Sequence, residues 1–150
     1  MSVFKSSVTV TIYAIAIASN LDKIQNTQFA LTALKQLGTC QISPIYEIPC
    51  RDGVGADYWN AACLVDSQIE LNELLELLKT LEAQTGRKRP SHSISLDIDL
   101  IAFGQDLSAM QFNPKKMPLA VDVIIPLATL WHSKDLPKVA HQYKTIDALI

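Results

Sequence analysis

Apolar residues along this chain follow two rhythms, and each rhythm predicts a kind of element. From Val8 to Ala18 the run is nearly continuous and β-branched, with Val8, Val10, Ile12, Ile15 and Ile17, and predicts a buried strand over residues 8–18. Ser19-Asn20 is a polar turn, and Asn20 or Asp22 is placed to cap the next segment. Residues 22–37 read as a helix with Leu21, Ile24, Phe29, Leu31, Leu34 and Leu37 on its apolar side and Gly38 at its end. Residues 39–48 predict a second strand interrupted by Pro44, and Tyr58 to Asp66 a third, with a loop from Pro49 to Asp57 between them. That loop carries Arg51, Asp52, Gly53 and Gly55. The helical period is clearest over residues 70–85, where Leu71, Leu74, Leu75, Leu78 and Leu81 recur at i, i+3, i+4 and i+7 and Gly86 follows.

After the basic run Arg87-Lys88-Arg89 and a polar loop from Pro90 to Ser93, alternation returns in a strand from Ile94 to Phe103. Ile94, Leu96, Ile98, Leu100 and Ala102 take one face, while Asp97 and Asp99 take the other. The remainder is broken by Pro114, Pro118, Pro126 and Pro137, with a short helix expected near residues 122–131. The order β-α-β-β-α-β predicts an α+β, ferredoxin-like sandwich: one antiparallel sheet, both helices on one face, and an irregular C-terminal extension. Residues 1–150 read as one domain, without internal repeats.

Composition narrows the function classes. Half the chain is hydrophobic and the formal net charge is −2, so nothing draws it as a whole toward nucleic acid or an anionic membrane. Cys40, Cys50 and Cys63 are an odd count without metal-ligand spacing and read as free thiols in a reducing compartment. The N-terminal apolar run resembles a signal peptide in outline. Its β-branched, leucine-free composition favours the strand, and with it the cytoplasm; no run is long enough for a transmembrane helix, and a monomer is expected.

The chemistry concentrates around the paired carboxylates. Asp97 and Asp99 side by side repel each other, and a divalent cation would compensate them. Mg²⁺ is held by one or two carboxylates together with waters and substrate phosphates, so a Mg²⁺-nucleotide platform is one reading. The solvated face of an antiparallel strand is the other. Arg87 and Arg89, a few residues upstream, either complement a helix C-terminus or grip phosphate oxygens. Tyr58 and Asn60 share a strand face with Trp59 opposite; a flat heterocycle could stack on Tyr58 and pair with Asn60, or both are ordinary strand residues. A P-loop, a dinucleotide fingerprint, a metal-type histidine spacing and a nucleophile motif are all missing from the sequence. An RNA-binding sheet would carry exposed aromatics where this strand has Ser95, Asp97 and Asp99.

Five segments, in order and at nearly matching spacing, resemble the 6-hydroxymethyl-7,8-dihydropterin pyrophosphokinase family of folate biosynthesis. They are Ile15 to Leu21, Ser43 to Pro49, Asp57 to Ala62, Leu81 to Arg87 and Ser95 to Leu100, with a weaker match through Pro126-Leu127. The resemblance implies transfer of pyrophosphate from ATP to the pterin hydroxymethyl group, with release of AMP. It implies Asp97 and Asp99 as ligands of two Mg²⁺ ions, and Arg87 and Arg89 beside the phosphates on a mobile loop. It places Tyr58, Asn60, Ile48 and Pro49 at the pterin, and Glu82, Arg87, Arg89 and Leu100 on the nucleotide side, with Glu82 helping to position Arg87 or the nucleotide side. The chain departs from the family pattern at several points. Ala18 stands for a glycine, and the loop before Asp97 is short and lacks a Trp and an Arg where Ile94 stands. Asn113-Pro114-Lys115-Lys116 replaces a His-Tyr, an Arg is lost near Ala120, and Val121, Asp122 or Val123 replaces the aromatic facing Tyr58. Lys88, Lys115 or Lys116 could restore charge. An active enzyme and a paralogue that only binds pterin, nucleotide or a partner are the two functions to separate.

Overall fold

The computed structural model describes residues 9–51 and 53–147. The predicted strand start at Val8 and the charge at Asp52 therefore lie outside the described residues. The elements are β1 (Thr11–Ser19), α1 (Lys23–Lys35), β2 (Gly38–Ile42), β3 (Ile45–Ile48), β4 (Tyr58–Ser67), α2 (Leu71–Gln84), β5 (Asp97–Gly104), β6 (Gln111–Phe112), α3 (Val121–Leu127) and β7 (Thr145–Ile146). They build a mixed α/β fold around an antiparallel seven-stranded sheet in the order β6-β5-β1-β4-β3-β7, with β2 also on β4. This is the ferredoxin-like arrangement, with β1 held between β4 and β5.

Alternation along the central strands makes two cores, one on each face. Tyr13, Ile15 and Ile17 of β1, Cys63 and Val65 of β4, and Leu96, Ile98 and Leu100 pack under α1 and α2. Leu74, Leu78 and Leu81 supply the buried stripe of α2, as its leucine spacing requires. The opposite faces of the same strands carry Ala14, Ala16, Ala62 and Leu64, covered by Ile124 and Leu127 of α3 and by Trp131 and Leu136 beyond it. The two predicted helices thus share a face, and the C-terminal extension covers part of the other.

Several local expectations are corrected. The strand expected over 39–48 is two strands, both paired to β4 and separated at Ser43-Pro44. Pro44 has no N–H for a ladder bond, and the Ser43 hydroxyl instead accepts from Ala62 N at 2.9 Å and donates to Pro44 O at 2.8 Å. Of the two expected caps, Asp22 is the N-cap residue of α1, but at φ 49° and without a side-chain cap bond, and Asn20 is used elsewhere. Gly38 opens β2 and does not end α1, whose last turn closes at Gln36. Gly86, at φ +81°, does terminate α2 in the left-handed conformation that suits glycine.

The strand face expected for Ala102 is also corrected. Ile15 pairs with Leu100 but Ala14 pairs with Ala102, which leaves Ile101 as an extra residue on β5. Beyond this bulge Ala102 joins the α3-side core and Phe103 the α1/α2 side. The bulge lies just past Asp99, so the two carboxylates keep a common face.

Candidate active site

Register sets the site. Ala18 of β1 pairs with Asn60 on one side and Asp97 on the other, and Ala16 pairs with Ala62 and Asp99. The alanines of β1 are small, so the sheet surface between the flanking polar side chains is left open. A cavity of about 300 Å³ lies over it, lined by Ala16, Ala18, Tyr58, Asn60, Asp97 and Asp99, among others. Trp59 lies on the opposite face, where its Nε1 donates to Glu47 Oε1 at 3.2 Å.

Asn60 is 4% exposed, and its Nδ2 is a buried donor with no partner among the described residues. An unmet buried donor is costly, so a cavity beside it favours a ligand that brings an acceptor. The Nε of Arg87 is in the same condition, with the side chain only 10% exposed. Arg87 Nη1 donates to Leu96 O at 3.0 Å and lies 4.0 Å from Asp97 Oδ1.

The carboxylates form a tight group. Oxygens of Glu82, Asp97 and Asp99 lie within 4.8 Å of one another. Burial first, then the neighbouring Asp99 and Glu82, pushes the Asp97 carboxyl up to about 7, and Arg87 only partly offsets this. A cluster so reluctant to hold its full charge suits a hard divalent cation, which takes carboxylate oxygens as ligands. Glu82 has two further contacts that fix it. Its Oε2 accepts from Ile98 N at 3.0 Å, and its Oε1 accepts from Arg89 Nη2 at 2.8 Å. The Glu82 side chain therefore pairs with Arg89, while the Glu82 carbonyl accepts from Arg87 N at 3.4 Å.

A second cavity, of about 520 Å³, opens on the other side of Asp99 between α2, β5 and the 113–116 turn. Leu71, Leu75 and Leu100 give it an apolar lining, and Lys79, Arg89, Lys115 and Lys116 surround it with cations. The turn is pinned to β5 by Asn113, whose N donates to Ile101 O at 2.8 Å and whose Nδ2 donates to Leu100 O at 3.0 Å. Pinned there, Lys116 reaches Asp99.

Two loops frame the first cavity, and Asn20 ties them. Its Nδ2 donates to Ala56 O at 3.2 Å and to His92 O at 2.9 Å, and its Oδ1 accepts from Ile94 N at 2.5 Å. The loops pass so closely that a Cβ on Gly55 would lie 2.9 Å from His92 O, and Gly55 itself has φ +100°.

Of the residues singled out in the sequence, Tyr58, Asn60, Asp97 and Asp99 meet at the first cavity. Glu82, Arg89, Leu100 and again Asp99 meet at the second. Ile48 is packed with Tyr46 and Ile125 and, like Pro49, is not part of the first cavity's lining. Ser95, expected on the carboxylate face, is buried and shares a 2.8 Å hydrogen bond with Thr85 at the end of α2. In the sequence Arg51 is only a loop charge and Asp122 only one of three replacements for an aromatic, yet both line the first cavity and form an ion pair.

A family model of 7,8-dihydro-6-hydroxymethylpterin-pyrophosphokinase matches residues 14–136. The chain belongs to this pyrophosphokinase family. The matched span contains both cavities, the carboxylate group and the Asn20 tie. No helix among the described residues is long and apolar enough to cross a membrane.

Proposed function

We propose that this pyrophosphokinase family member is an active enzyme. It transfers the β,γ-pyrophosphate of ATP to the hydroxymethyl oxygen of 6-hydroxymethyl-7,8-dihydropterin and releases AMP. The observation that carries the reading is the meeting of Tyr58 and Asn60, whose Nδ2 has no partner among the described residues, with Asp97 and Asp99 in one cavity. That cavity takes a flat polar ring and presents its side arm to the carboxylate group. The second cavity, apolar within and cationic at its rim, takes the nucleotide, and Asp99 is common to both.

In this reading Tyr58 stacks on the pterin and Asn60 Nδ2 donates to a ring acceptor. Ile48 and Pro49 support that end of the site from the β3 side. Asp97 and Asp99, with Glu82 beside them, hold the Mg²⁺ ions that accompany ATP; when bound, these neutralise phosphate charge and fix its orientation. Arg87 and Arg89 approach the phosphates, Arg89 by leaving Glu82, and Leu100 packs on the nucleotide side. The hydroxymethyl oxygen attacks the β-phosphorus and gives up its proton to solvent, the bond from that phosphorus to the α-phosphate oxygen breaks, and AMP leaves. Positioning and charge neutralisation supply most of the acceleration.

A paralogue that binds without catalysis is the second reading. It is favoured by the engagement of Arg89 with Glu82 and by the short loop before Asp97. AMP release from ATP and Mg²⁺, with and without the pterin, separates the two. Pterin-dependent AMP that disappears in Asp97→Ala supports the enzyme. Pterin binding without AMP release supports the paralogue.

A further inference from the structure

The loop between β3 and β4 and the first turn of α3 meet at one ion pair on the first cavity. Arg51 Nε donates to Asp122 Oδ2 at 2.9 Å and Arg51 Nη2 to Asp122 Oδ1 at 2.7 Å. Such a two-point fork fixes the plane of the guanidinium as well as its position. Asp122 is 13% exposed and Arg51 70% exposed at their side chains, so the carboxylate is the anchor and the guanidinium the outer part. Both residues line the cavity that Tyr58 and Asn60 line, and Arg51 lies within electrostatic reach of Tyr58 and Asp97.

The pairing decides what Arg51 can offer a ligand. Its charge is matched and two of its donors are taken by Asp122, which leaves it poorly suited to gripping a phosphate. Three N–H groups remain at its edge, and its flat face is left open; guanidinium faces stack on aromatic rings. We infer that Arg51, held in plane by Asp122, forms a wall of the first cavity that stacks on a flat heterocycle and sets the preference for planar rings. Arg51 is then a specificity residue in contact with the ring, and Asp122 a positioning residue that acts through it. The inference rests on the pterin reading of this cavity.

The test is a fluorescence titration of 6-hydroxymethylpterin into the full chain with Mg²⁺ and a non-hydrolysable ATP analogue, alongside nucleotide affinity measured separately. Arg51→Leu is expected to weaken pterin binding by about tenfold, and Arg51→Lys to recover little of it, because an ammonium has charge but no flat face. Asp122→Asn is expected to weaken it by about three- to tenfold alone and to add nothing in an Arg51→Leu background, since coupled residues are not additive. Nucleotide affinity stays within about twofold throughout, which also reports that the variants are folded. If Arg51→Leu destabilises the chain, the lysine and Asp122 variants answer the same question. Unchanged pterin affinity in Arg51→Leu, full recovery by lysine, or additive losses would overturn the wall and leave the pterin reading intact. Nucleotide binding by the unaltered chain with no pterin binding would overturn both.

Discussion

Lys116 Nζ lies 2.9 Å from Asp99 Oδ1, so the chain brings its own cation to one of its paired carboxylates. An ammonium and a metal ion compete for the same oxygen, whereas an ammonium and a nucleotide phosphate attract. Lys116→Ala should therefore tighten the binding of Mg²⁺ alone and weaken that of Mg²⁺-ATP. Both side chains are partly open to water, at 37% and 26%, so each change is expected at roughly three- to tenfold. Calorimetric titrations with metal alone and with metal plus nucleotide check it; parallel changes of one sign would contradict the competition.

Asp97 makes metal-free stability fall as pH rises. The folded protein keeps the Asp97 proton to about pH 7, while the unfolded chain releases it near 4. Between those values the folded state binds more protons, so its advantage is full at low pH and is lost as pH rises through 7. Asp97→Asn removes this dependence. With 39% of the Asp97 side chain open to water, screening holds the expected gain at pH 8 to about 1–2 kcal/mol, shrinking toward zero near pH 4. Urea unfolding in a chelator at both pH values measures it, and an equal gap at the two would refute the assignment.

Ligand linkage gives the matching experiment. Mg²⁺-ATP at about 100 times its dissociation constant should stabilise the protein by about 2.7 kcal/mol, and chelation should remove that gain. Asp97→Ala and Asp99→Ala should each abolish the thermal shift while leaving a folded protein. A full shift in either variant would separate the carboxylates from nucleotide binding.

Glu82 has a structural duty apart from any phosphate chemistry. Removing it strands the Ile98 N–H, and a buried donor without a partner costs about 1–3 kcal/mol. Glu82→Ala should lower the melting temperature clearly. Arg89→Ala should change it little, because that side chain is 64% exposed. Comparable losses in the two variants would locate the stabilising contact in the ion pair.

The parts of this fold that can be read from sequence are those whose cause is local. The α2 leucines and the carboxylate face of β5 repeat at the period of their own element, so the helix and the shared orientation of Asp97 and Asp99 follow directly. The bulge does not, because Leu100, Ile101 and Ala102 are all apolar and a slipped residue leaves no mark in such a run. The polar ties are hidden for a different reason. Arg51 and Asp122 are 71 positions apart, and Asn20 reaches His92 across 72, distances at which no periodicity operates. Asn20 has the composition of a helix cap, and only the passage of two distant loops beside it gives its amide better partners. One local signal does point to the cavity: Ala14, Ala16 and Ala18 alternate along β1, marking a strand face kept narrow.

That row of alanines sets stability against room for a ligand. Ala16 and Ala18 sit in a strand paired on both edges, where valine or isoleucine would suit β geometry better and fill the space above the sheet. Larger residues there would trade ligand room for robustness, so selection for stability alone would close the cavity within a few substitutions. With both positions small, the chain is less sturdy than its own backbone would allow.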